Sequence, residues 1–432
     1  MYKKSRILLA LTLVIILSVG LLSQVALASD PPPRPLAAIT KVLKMPIGTN
    51  LPTGSFTFTF TPLSINEDPS LTPPAIAAVT IAFPTGATST TCACAVPCAP
   101  DVVHYYKESN ELFGNINWPH TGVFEYNLKE NANSFGAMPA GENMVYSIAE
   151  YTVKVHVMEY KAGDTIPPGK AIGDLYVYTV AAYRTVKEDG TPGTDKVDPT
   201  PGGNQTTYFY SQMKFDNIYT KHNGGNGTDP VGRNTQSIVK AVAGAYSSTS
   251  IYFDFSVTVT KPSLVPGTPV YKAYIVENGY GLTNIAANGL TASGSDVGGA
   301  YVNVNSGTAL NFKLKHGQYL AFTNTHVGSS YIVSETGTAG YIPSAIVTTN
   351  NVPGGMVTGT RGSNLALPDG TIYTILRVGE LLNRAAFTNT NDRPPETGLN
   401  INDLPFYGLL ILAAGGIAAL VIVKTRSRKT NR

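Results

Sequence analysis

The chain has 432 residues and a formal net charge of +3, and only 14% of its residues are charged. This length exceeds what one hydrophobic core usually holds, so two domains are expected. Most of the excess positive charge lies in the two terminal segments, and the long segment between them is mildly acidic, which argues against a nucleic-acid-binding protein.

Residues 1–28 have the parts of a secretion signal peptide. Three cations between residues 3 and 6 precede an apolar stretch at about residues 7–22. The string Ala26-Leu27-Ala28 then places small residues where a signal peptidase needs them. We therefore expect cleavage near Ala28 and a secreted protein.

The segment after the signal peptide has the pattern of an all-β protein. Alternating polar and apolar runs, separated by clusters of Pro, Gly, Asn and Asp, occur at residues 55–61, 146–157, 175–182, 251–260 and 385–390. Short strands of this kind predict β-sandwich architecture. A segment dominated by Gly, Asn and Asp divides the pattern into a first domain at residues 36–222, a linker at 223–234 and a second domain at 235–391.

The three cysteines, Cys92, Cys94 and Cys98, lie within seven residues of one another. Cysteines so close together cannot join two domains. A local disulfide with a spare thiol, unpaired loop residues, and a metal or thioester site are the alternatives. No His or acidic residue lies close enough in sequence to complete a tetrahedral metal site, so neither a metal nor another cofactor is expected.

Strand parity places a lysine, a glutamate and an asparagine on buried faces of each predicted domain. Side chains at i, i+2 and i+4 of a strand share a face, so a polar residue in phase with apolar neighbours points into the core. The residues of the first set are Lys41, Glu130 and Asn217, and those of the second set are Lys240, Glu335 and Asn389. Both sets follow the same order along the chain.

Burial of such a set predicts a covalent reaction within it. Desolvation lowers the pKa of a buried lysine and raises that of a buried glutamate, which leaves a neutral amine beside a protonated carboxyl. The amine can then attack the asparagine, while the carboxyl polarises the side-chain carbonyl and passes a proton to departing ammonia. In the chain-entropy treatment, an amide crosslink between the first and last strands stabilises a domain by about 5 kcal/mol.

The C-terminal end carries a short motif, an apolar run and a basic tail. The motif Pro-Pro-Glu-Thr-Gly at residues 394–398 precedes an apolar segment at 404–423, which is just long enough to span a bilayer. The five cations of residues 424–432 would stay on the cytoplasmic side. A single-pass anchor that follows the motif by chance is the simpler alternative.

This order resembles the sortase cell-wall sorting signal of Gram-positive bacteria. In that signal, a transpeptidase cuts between Thr and Gly of a Leu-Pro-x-Thr-Gly motif. The resemblance implies a motif formed by Pro395, Thr397 and Gly398, cleavage after Thr397 and covalent attachment to the cell wall. Pro394 replaces the usual leucine, so the class of sortase is not defined. A membrane would be a partner only before this cleavage.

Several strings resemble the streptococcal pilin isopeptide-linkage family. In the first domain these are Ile-Thr-Lys at residues 39–41, VFEYNLKE at 123–130, YTVKVHV at 151–157 and Phe-Asp-Asn at 215–217. In the second, YIVSET at 331–336 with Gly-Tyr at 340–341 resembles the E-box of Gram-positive pilins, and Phe-Thr-Asn at 387–389 resembles the terminal-strand asparagine motif. The resemblance implies two tandem immunoglobulin-like β-sandwich domains, each with a spontaneous Lys–Asn isopeptide bond that Glu130 or Glu335 promotes.

Other residues compete for these roles. Any member of either set could instead be an edge-strand polar group with its tip in solvent. Lys44 lies on the opposite face from Lys41 by parity. Asn324 lies in a second Phe-Thr-Asn-Thr string but precedes Glu335, which breaks the order of the family. Glu150 lies in a string that resembles the strand after the glutamate strand of the family.

The function expected from these features is a cell-surface structural protein, with a pilus subunit as the first choice. Its partners would be a sortase and either peptidoglycan or neighbouring pilin subunits. A pilus subunit needs an exposed lysine that the sortase joins to Thr397 of the next subunit. Related pilins place it several residues before the last asparagine, where this chain has Tyr210, so the candidates are Lys214 and Lys221.

Two alternatives to the pilus subunit remain at this point. One is a wall-anchored monomeric adhesin or stalk, whose host ligand the sequence does not define. The other is a secreted hydrolase. The chain lacks a Gly-x-Ser-x-Gly elbow, a His-Glu-x-x-His pair and a phosphate-binding glycine loop, although folding could bring paired carboxylates together. No enzyme activity is expected apart from the single-turnover formation of the crosslinks.

Overall fold

The computed structural model describes residues 36–90, 99–202, 210–223, 235–393 and 404–429. The predicted signal peptide, the three cysteines, the sorting motif at 394–398 and nearly all of the predicted linker lie outside these residues. Apart from one C-terminal helix and a short 3₁₀ helix, the regular secondary structure of the described part is all β-strand, which confirms the all-β prediction.

The strands fall into two groups along the chain. The first group is β1 Thr40–Pro46, β2 Gly54–Ile65, β3 Val79–Phe83, β4 Thr88–Thr90, β5 Val102–Glu108, β6 Gly122–Glu130, β7 Glu142–Val145, β8 Glu150–Glu159, β9 Leu175–Val186, β10 Pro192–Val197 and β11 Lys214–Lys221. The second group is β12 Gln236–Ala243, β13 Phe253–Thr260, β14 Val270–Glu277, β15 Tyr280–Gly281, β16 Gly294–Asp296, β17 Gly299–Asn305, β18 Ala309–Leu314, β19 Gln318–Thr323, β20 Ser330–Glu335, β21 Ile342–Thr349, β22 Val352–Thr358, β23 Leu365–Leu367, β24 Leu376–Arg377 and β25 Asn383–Thr390. A short 3₁₀ helix spans Ala286–Asn288, and the helix α1 spans Leu404–Lys429.

Strands β1 to β11 form two sheets that pack face to face, here called the first sandwich. One sheet has the order β4-β5-β1-β11-β7 and the other has the order β10-β9-β8-β6-β2-β3. The rings of Phe58 and Phe215 lie 5.0 Å apart between the two sheets, within one hydrophobic core. The first and last strands, β1 and β11, are parallel neighbours, and Lys41 lies opposite Phe215.

Strands β12 to β25 form the second sandwich in a similar way. A nine-stranded sheet has the order β16-β17-β14-β19-β12-β25-β21-β22, with β15 paired to β14, and it faces a sheet with the order β18-β13-β20-β23, with β24 paired to β20. The rings of Phe255 and Phe387 meet between the sheets at 5.3 Å. The first and last strands, β12 and β25, are again parallel neighbours, with Lys240 opposite Phe387.

Polar contacts join the two sandwiches at the end of β1 and β11. The carboxylate of Glu380 accepts hydrogen bonds from the backbone N–H and the side-chain amide of Asn50, at 2.6 and 2.9 Å. The buried side chain of Asn223 donates to the carbonyl of Leu381 at 3.1 Å. The imidazoles of His222 and His326 meet edge to face, with their Nε2 atoms 3.2 Å apart. The two sandwiches therefore follow one another along the chain with a polar junction between them.

The helix α1 is apolar over Pro405–Lys424, with a mean hydropathy of 2.5. By its length and composition, this helix could cross a membrane. It covers the segment 404–423 predicted from the sequence, and the basic residues that follow continue the same helix to Lys429.

Candidate crosslinking sites

The structure brings Lys41, Glu130 and Asn217 together inside the first sandwich. Lys41 and Asn217 are both 0% exposed, and Glu130 is buried with them. The Lys41 ammonium nitrogen Nζ donates to Glu130 Oε2 at 2.8 Å, and Asn217 Nδ2 donates to Glu130 Oε1 at 2.8 Å. One carboxyl group therefore contacts both the amine and the amide.

The positions of these three residues follow from the strand order. Lys41 and Asn217 point into the core from the parallel neighbours β1 and β11, because each is in phase with buried apolar residues. Glu130 is the last residue of β6, which belongs to the facing sheet. Its carboxyl reaches across the core and closes the cluster.

Burial sets the protonation of the first cluster. Desolvation lowers the pKa of Lys41 to about 8, although the nearby Glu130 carboxylate opposes this shift. Desolvation also raises the pKa of Glu130, against the opposing charge of Lys41. Both shifts favour a neutral amine beside a carboxylic acid, which is the state that nucleophilic attack requires. The ring of Phe56 lies 4.5 Å from Lys41 Nζ and provides an apolar wall.

The second sandwich contains the same three residue types in a similar arrangement. Lys240, Glu335 and Asn389 are at most 2% exposed. Lys240 Nζ and Asn389 Nδ2 both donate to Glu335 Oε1, each at 2.6 Å. The ring of Phe253 lies 4.1 Å from Lys240 Nζ. Desolvation lowers the pKa of Lys240 to about 8 and raises that of Glu335.

One feature of the predicted chemistry is wrong in its geometry. The sequence analysis predicts that each glutamate polarises the asparagine carbonyl, but the carboxyl of Glu130 contacts the amide nitrogen of Asn217 instead. The carbonyl oxygen Oδ1 of Asn217 accepts a hydrogen bond from the backbone N–H of Ser147 at 2.7 Å. A backbone N–H can only donate, so this contact fixes the orientation of the amide. The glutamate is therefore placed to protonate the leaving nitrogen.

Two further residues lie beside the first cluster, Ser147 and Glu188, and no sequence pattern indicates either of them. Both carboxylate oxygens of Glu188 accept from the Ser147 hydroxyl at 2.8 Å. Glu188 Oε1 also accepts from the backbone N–H of Asp216 at 2.7 Å. The Ser147 contact to Asn217 is made by a backbone group, which residue type does not reveal, and Glu188 lies far from both in sequence.

The structure separates the competing residues from the two clusters. The Lys44 ammonium pairs with Asp216 at 2.7 Å on the other face of β1. Glu150 accepts from the Asn127 amide at 2.9 Å. Asn324 follows the end of β19 in the left-handed region, with φ 58°.

The two lysines predicted as polymerisation sites are partly exposed and paired with carboxylates. Lys214 Nζ lies 3.3 Å from Asp216, with 38% of its side chain exposed. Lys221 Nζ lies 3.3 Å from Glu142 and 3.2 Å from Glu380, and the latter contact crosses the junction between the sandwiches. Among the described residues, no group of three or more His, Cys, Asp or Glu side chains is placed to hold a metal ion.

Comparisons with known proteins point to one family for the first sandwich. Residues 37–220 match the family described as Spy0128-like isopeptide containing domain, and residues 235–364 match a domain of unknown function, DUF7601. No curated protein matches the sequence.

Similar solved structures include two major pilins of Streptococcus pyogenes. The first is 17% identical, covers 83% of this chain and 99% of its own chain, and has a TM-score of 0.30. The second, T3.2 from serotype GAS13637, is 16% identical, with 83% and 98% covered and a TM-score of 0.30. A pilus-presented adhesin, Spy0125, is 10% identical, with 78% and 100% covered and a TM-score of 0.24. By this match, the first sandwich belongs to the Spy0128-like isopeptide containing domain family.

Proposed function

We propose that this chain is a sortase-processed cell-surface structural protein, a pilus subunit, in which a self-generated Lys–Asn isopeptide bond locks each sandwich. The observation that carries the proposal is the pair of buried clusters, Lys41–Glu130–Asn217 and Lys240–Glu335–Asn389. Each places an amine and an amide on the same carboxyl within hydrogen-bond distance.

The reaction in each cluster is a transamidation that consumes no external reagent. The neutral lysine Nζ attacks the asparagine Cγ and forms the new C–N bond, while the protonated glutamate gives its proton to Nδ2. The old C–N bond then breaks, ammonia leaves, and the glutamate, now a carboxylate, takes a proton from the former amine nitrogen. The glutamate ends in the protonation state in which it began, and each bond removes about 17 Da from the protein.

The position of the two bonds suits a protein under mechanical load. Each bond would join the first and last strands of a sandwich, which lie side by side and parallel. A tension applied at the two ends of a sandwich would then pass through the crosslink instead of separating the strands. The closed loops exceed 100 residues, and for such loops the chain-entropy treatment gives about 5 kcal/mol of stabilisation per bond.

Assembly would join Thr397 of one subunit to a lysine of the next, and Lys170 is well placed for this role. It is exposed and follows the turn Pro-Pro-Gly at residues 167–169. Among the described residues, it has no carboxylate partner within ion-pair distance. Lys170 lines a groove of about 850 Å³ together with Trp118 and Tyr176, and aromatic grooves bind proline-rich segments such as that before Thr397.

The location of this groove supports end-to-end assembly. Leu36, just before β1, also lines the groove, whereas the opposite end of β1 lies against the second sandwich. The last strand, β25, begins beside Leu381 at the junction and ends at Thr390. The C-terminal segment therefore leaves the second sandwich at the end that faces away from the first.

The experiment that tests the crosslinks is the intact mass of residues 29–397 expressed without a sortase. The proposal requires a mass about 34 Da below the sequence mass, one ammonia for each of two bonds. A mass equal to the sequence mass would show that neither cluster reacts, and the proposal would fail.

A further inference from the structure

The two clusters differ in the surroundings of the asparagine carbonyl. In the first sandwich, Asn217 Oδ1 accepts from the backbone N–H of Ser147 at 2.7 Å. In the second sandwich, Asn389 Oδ1 has no hydrogen-bond donor among the described residues, although it is buried. In both clusters one carboxyl contacts the amine and the amide nitrogen, through both oxygens in the first sandwich and through Oε1 alone in the second, and the asparagine carbonyl has a donor only in the first.

The strand beside the asparagine explains this difference. In the first sandwich, β7 pairs with β11 but ends at Val145. Ser147 therefore lies beyond the paired residues, and its backbone N–H donates to the side chain of Asn217 instead. In the second sandwich, β21 remains paired along β25 and places Pro343 opposite Asn389. A proline has no backbone N–H to donate.

The carboxylate of Glu188 holds Ser147 in this position. Glu188 follows β9, which belongs to the sheet opposite β11, and its two oxygens each accept from the Ser147 hydroxyl at 2.8 Å. One oxygen also accepts from the N–H of Asp216, the residue before Asn217. Glu188 therefore ties the Ser147 loop to the strand that carries the reacting amide.

The reaction builds negative charge at this oxygen. When the Lys41 amine attacks Cγ, the carbonyl of Asn217 becomes a tetrahedral centre and Oδ1 becomes an oxyanion until ammonia leaves. A donor already placed at 2.7 Å stabilises that charge without reorganisation. The loss of one such donor in an enzyme typically slows the reaction by about 10²- to 10³-fold.

We propose that the Ser147 N–H is an oxyanion donor and Glu188 its positioning residue, so that the bond of the first sandwich forms faster than the bond of the second. This inference rests on the proposed isopeptide reaction. The difference in rate would arise from the backbone N–H of Ser147, because the carbonyl of Asn389 in the second sandwich has no such donor among the described residues.

The first experiment compares the two reactions in single-site backgrounds of residues 29–397. Asn389→Ala leaves the first cluster to react, and Asn217→Ala leaves the second. Each protein is made by cell-free synthesis and quenched with acid at successive times, and the fraction lighter by about 17 Da is read from the intact mass. We expect the first cluster to react at least tenfold faster. Equal rates, or a faster second cluster, would overturn the inference.

The second experiment tests Glu188 in the Asn389→Ala background. Glu188→Ala should slow bond formation about tenfold or more, because the Ser147 loop is no longer held. Glu188→Gln keeps an acceptor for the Ser147 hydroxyl, so it should form the bond faster than Glu188→Ala. It also replaces the alanine variant as the test if that variant does not fold. The same changes in the Asn217→Ala background should leave the second reaction unchanged. If Glu188→Gln and a folded Glu188→Ala both form the bond at the rate of the parent protein, the positioning role is refuted.

A spectroscopic reading separates positioning from general stability. In an unreactive Lys41→Met protein, loss of the Ser147 hydrogen bond on Glu188→Ala should shift the ¹³C resonance of the Asn217 side-chain carbonyl upfield. A resonance that does not move would refute the link between Glu188 and the carbonyl. If neither single-site protein ever loses mass, the proposed crosslinking itself fails, whereas equal rates of loss contradict this inference alone.

Discussion

Asn217 does not lie directly opposite Lys41 on the neighbouring parallel strand but opposite Leu43, two residues further along. This offset keeps both side chains on the same face of the sheet. The carboxyl of Glu130, which comes from the facing sheet, contacts the two nitrogen atoms that must exchange a proton. The same two-residue offset recurs in the second sandwich. The glutamate is therefore placed to complete the proposed reaction in each sandwich.

The first prediction is that removal of either glutamate prevents the crosslink of its own sandwich. Glu130→Ala and Glu335→Ala should each raise the intact mass of residues 29–397 by about 17 Da relative to the crosslinked protein, beyond the change in side-chain mass. Loss of a crosslink worth about 5 kcal/mol should lower the melting temperature of that sandwich by on the order of 10–20 °C. Calorimetry and mass spectrometry measure both effects.

Glu150→Ala is the matched control for this prediction, because Glu150 also lies in the first sandwich but outside the cluster. It should leave the crosslink intact. A Glu130→Ala protein that still loses ammonia from the first sandwich would show that the carboxyl is not needed.

The second prediction concerns the pH dependence of stability when the first cluster cannot react. In Asn217→Ala, Lys41 keeps its buried environment, where its pKa is lowered from 10.5 to about 8. The unfolded chain then binds more protons than the folded chain between about pH 8 and 10.5, so stability should rise with pH across this window. Urea unfolding at pH 7.5 and 10 tests this expectation.

Other groups titrate in the same range, so the comparison needs a control. Lys41→Met in the Asn217→Ala background removes the buried amine and should reduce the rise. If the rise is as large in the methionine variant, Lys41 is not its source.

The sequence predicted the clusters because strand parity is a local property. Lys41 and Asn217 each lie among alternating buried residues, and this pattern determines which way a side chain points. The role of Ser147 depends on where β7 ends, and strand ends have no comparable periodicity. Glu188 reaches Ser147 only because the two sheets pack together, and a single sequence carries no pattern for such a contact.

The prediction of the polymerisation lysines from the sequence is limited in the same way. The sequence indicates Lys214 and Lys221 by their short distance to Asn217 along the chain. Their carboxylate partners include Glu380, which lies in the other sandwich. A sequence pattern within the first domain could not indicate that contact.

The third prediction is that acid weakens the junction between the sandwiches. Burial lowers the pKa of His326 to about 4, and the nearby His222 and Lys261 oppose a further positive charge. Tyr271 contacts the other ring nitrogen through its hydroxyl at 3.5 Å. The unfolded state binds more protons between about pH 4 and 6.5, so the junction should lose stability as pH falls through that range.

Small-angle scattering at pH 7.5 and 5 measures this change as a gain in flexibility between the sandwiches. His326→Gln should remove most of the pH dependence. His120→Gln, which changes an exposed histidine away from the junction, should retain it. A wild-type scattering curve that is the same at both pH values would contradict the prediction.

The fourth prediction concerns covalent assembly on the cell surface. If Thr397 is joined to Lys170 of the next subunit, wall extracts should contain a ladder of multimers that survives boiling in detergent with reductant, because amide bonds resist both. Thr397→Ala should abolish the ladder and leave the protein in the membrane by its apolar helix or release it into the medium. Lys170→Arg should also abolish the ladder, because a guanidinium keeps the positive charge but is a poor nucleophile.

Lys214→Arg and Lys221→Arg are the matched controls, and they also test the two lysines indicated by the sequence. Their pairing with Asp216, Glu142 and Glu380 restrains these ammonium groups, so both variants should still form multimers. Loss of the ladder in either variant, with Lys170→Arg unaffected, would transfer the acceptor role to that lysine. A wild-type extract that contains only a monomer attached to peptidoglycan would instead favour a wall-anchored adhesin or stalk, in which the crosslinks stiffen a single subunit.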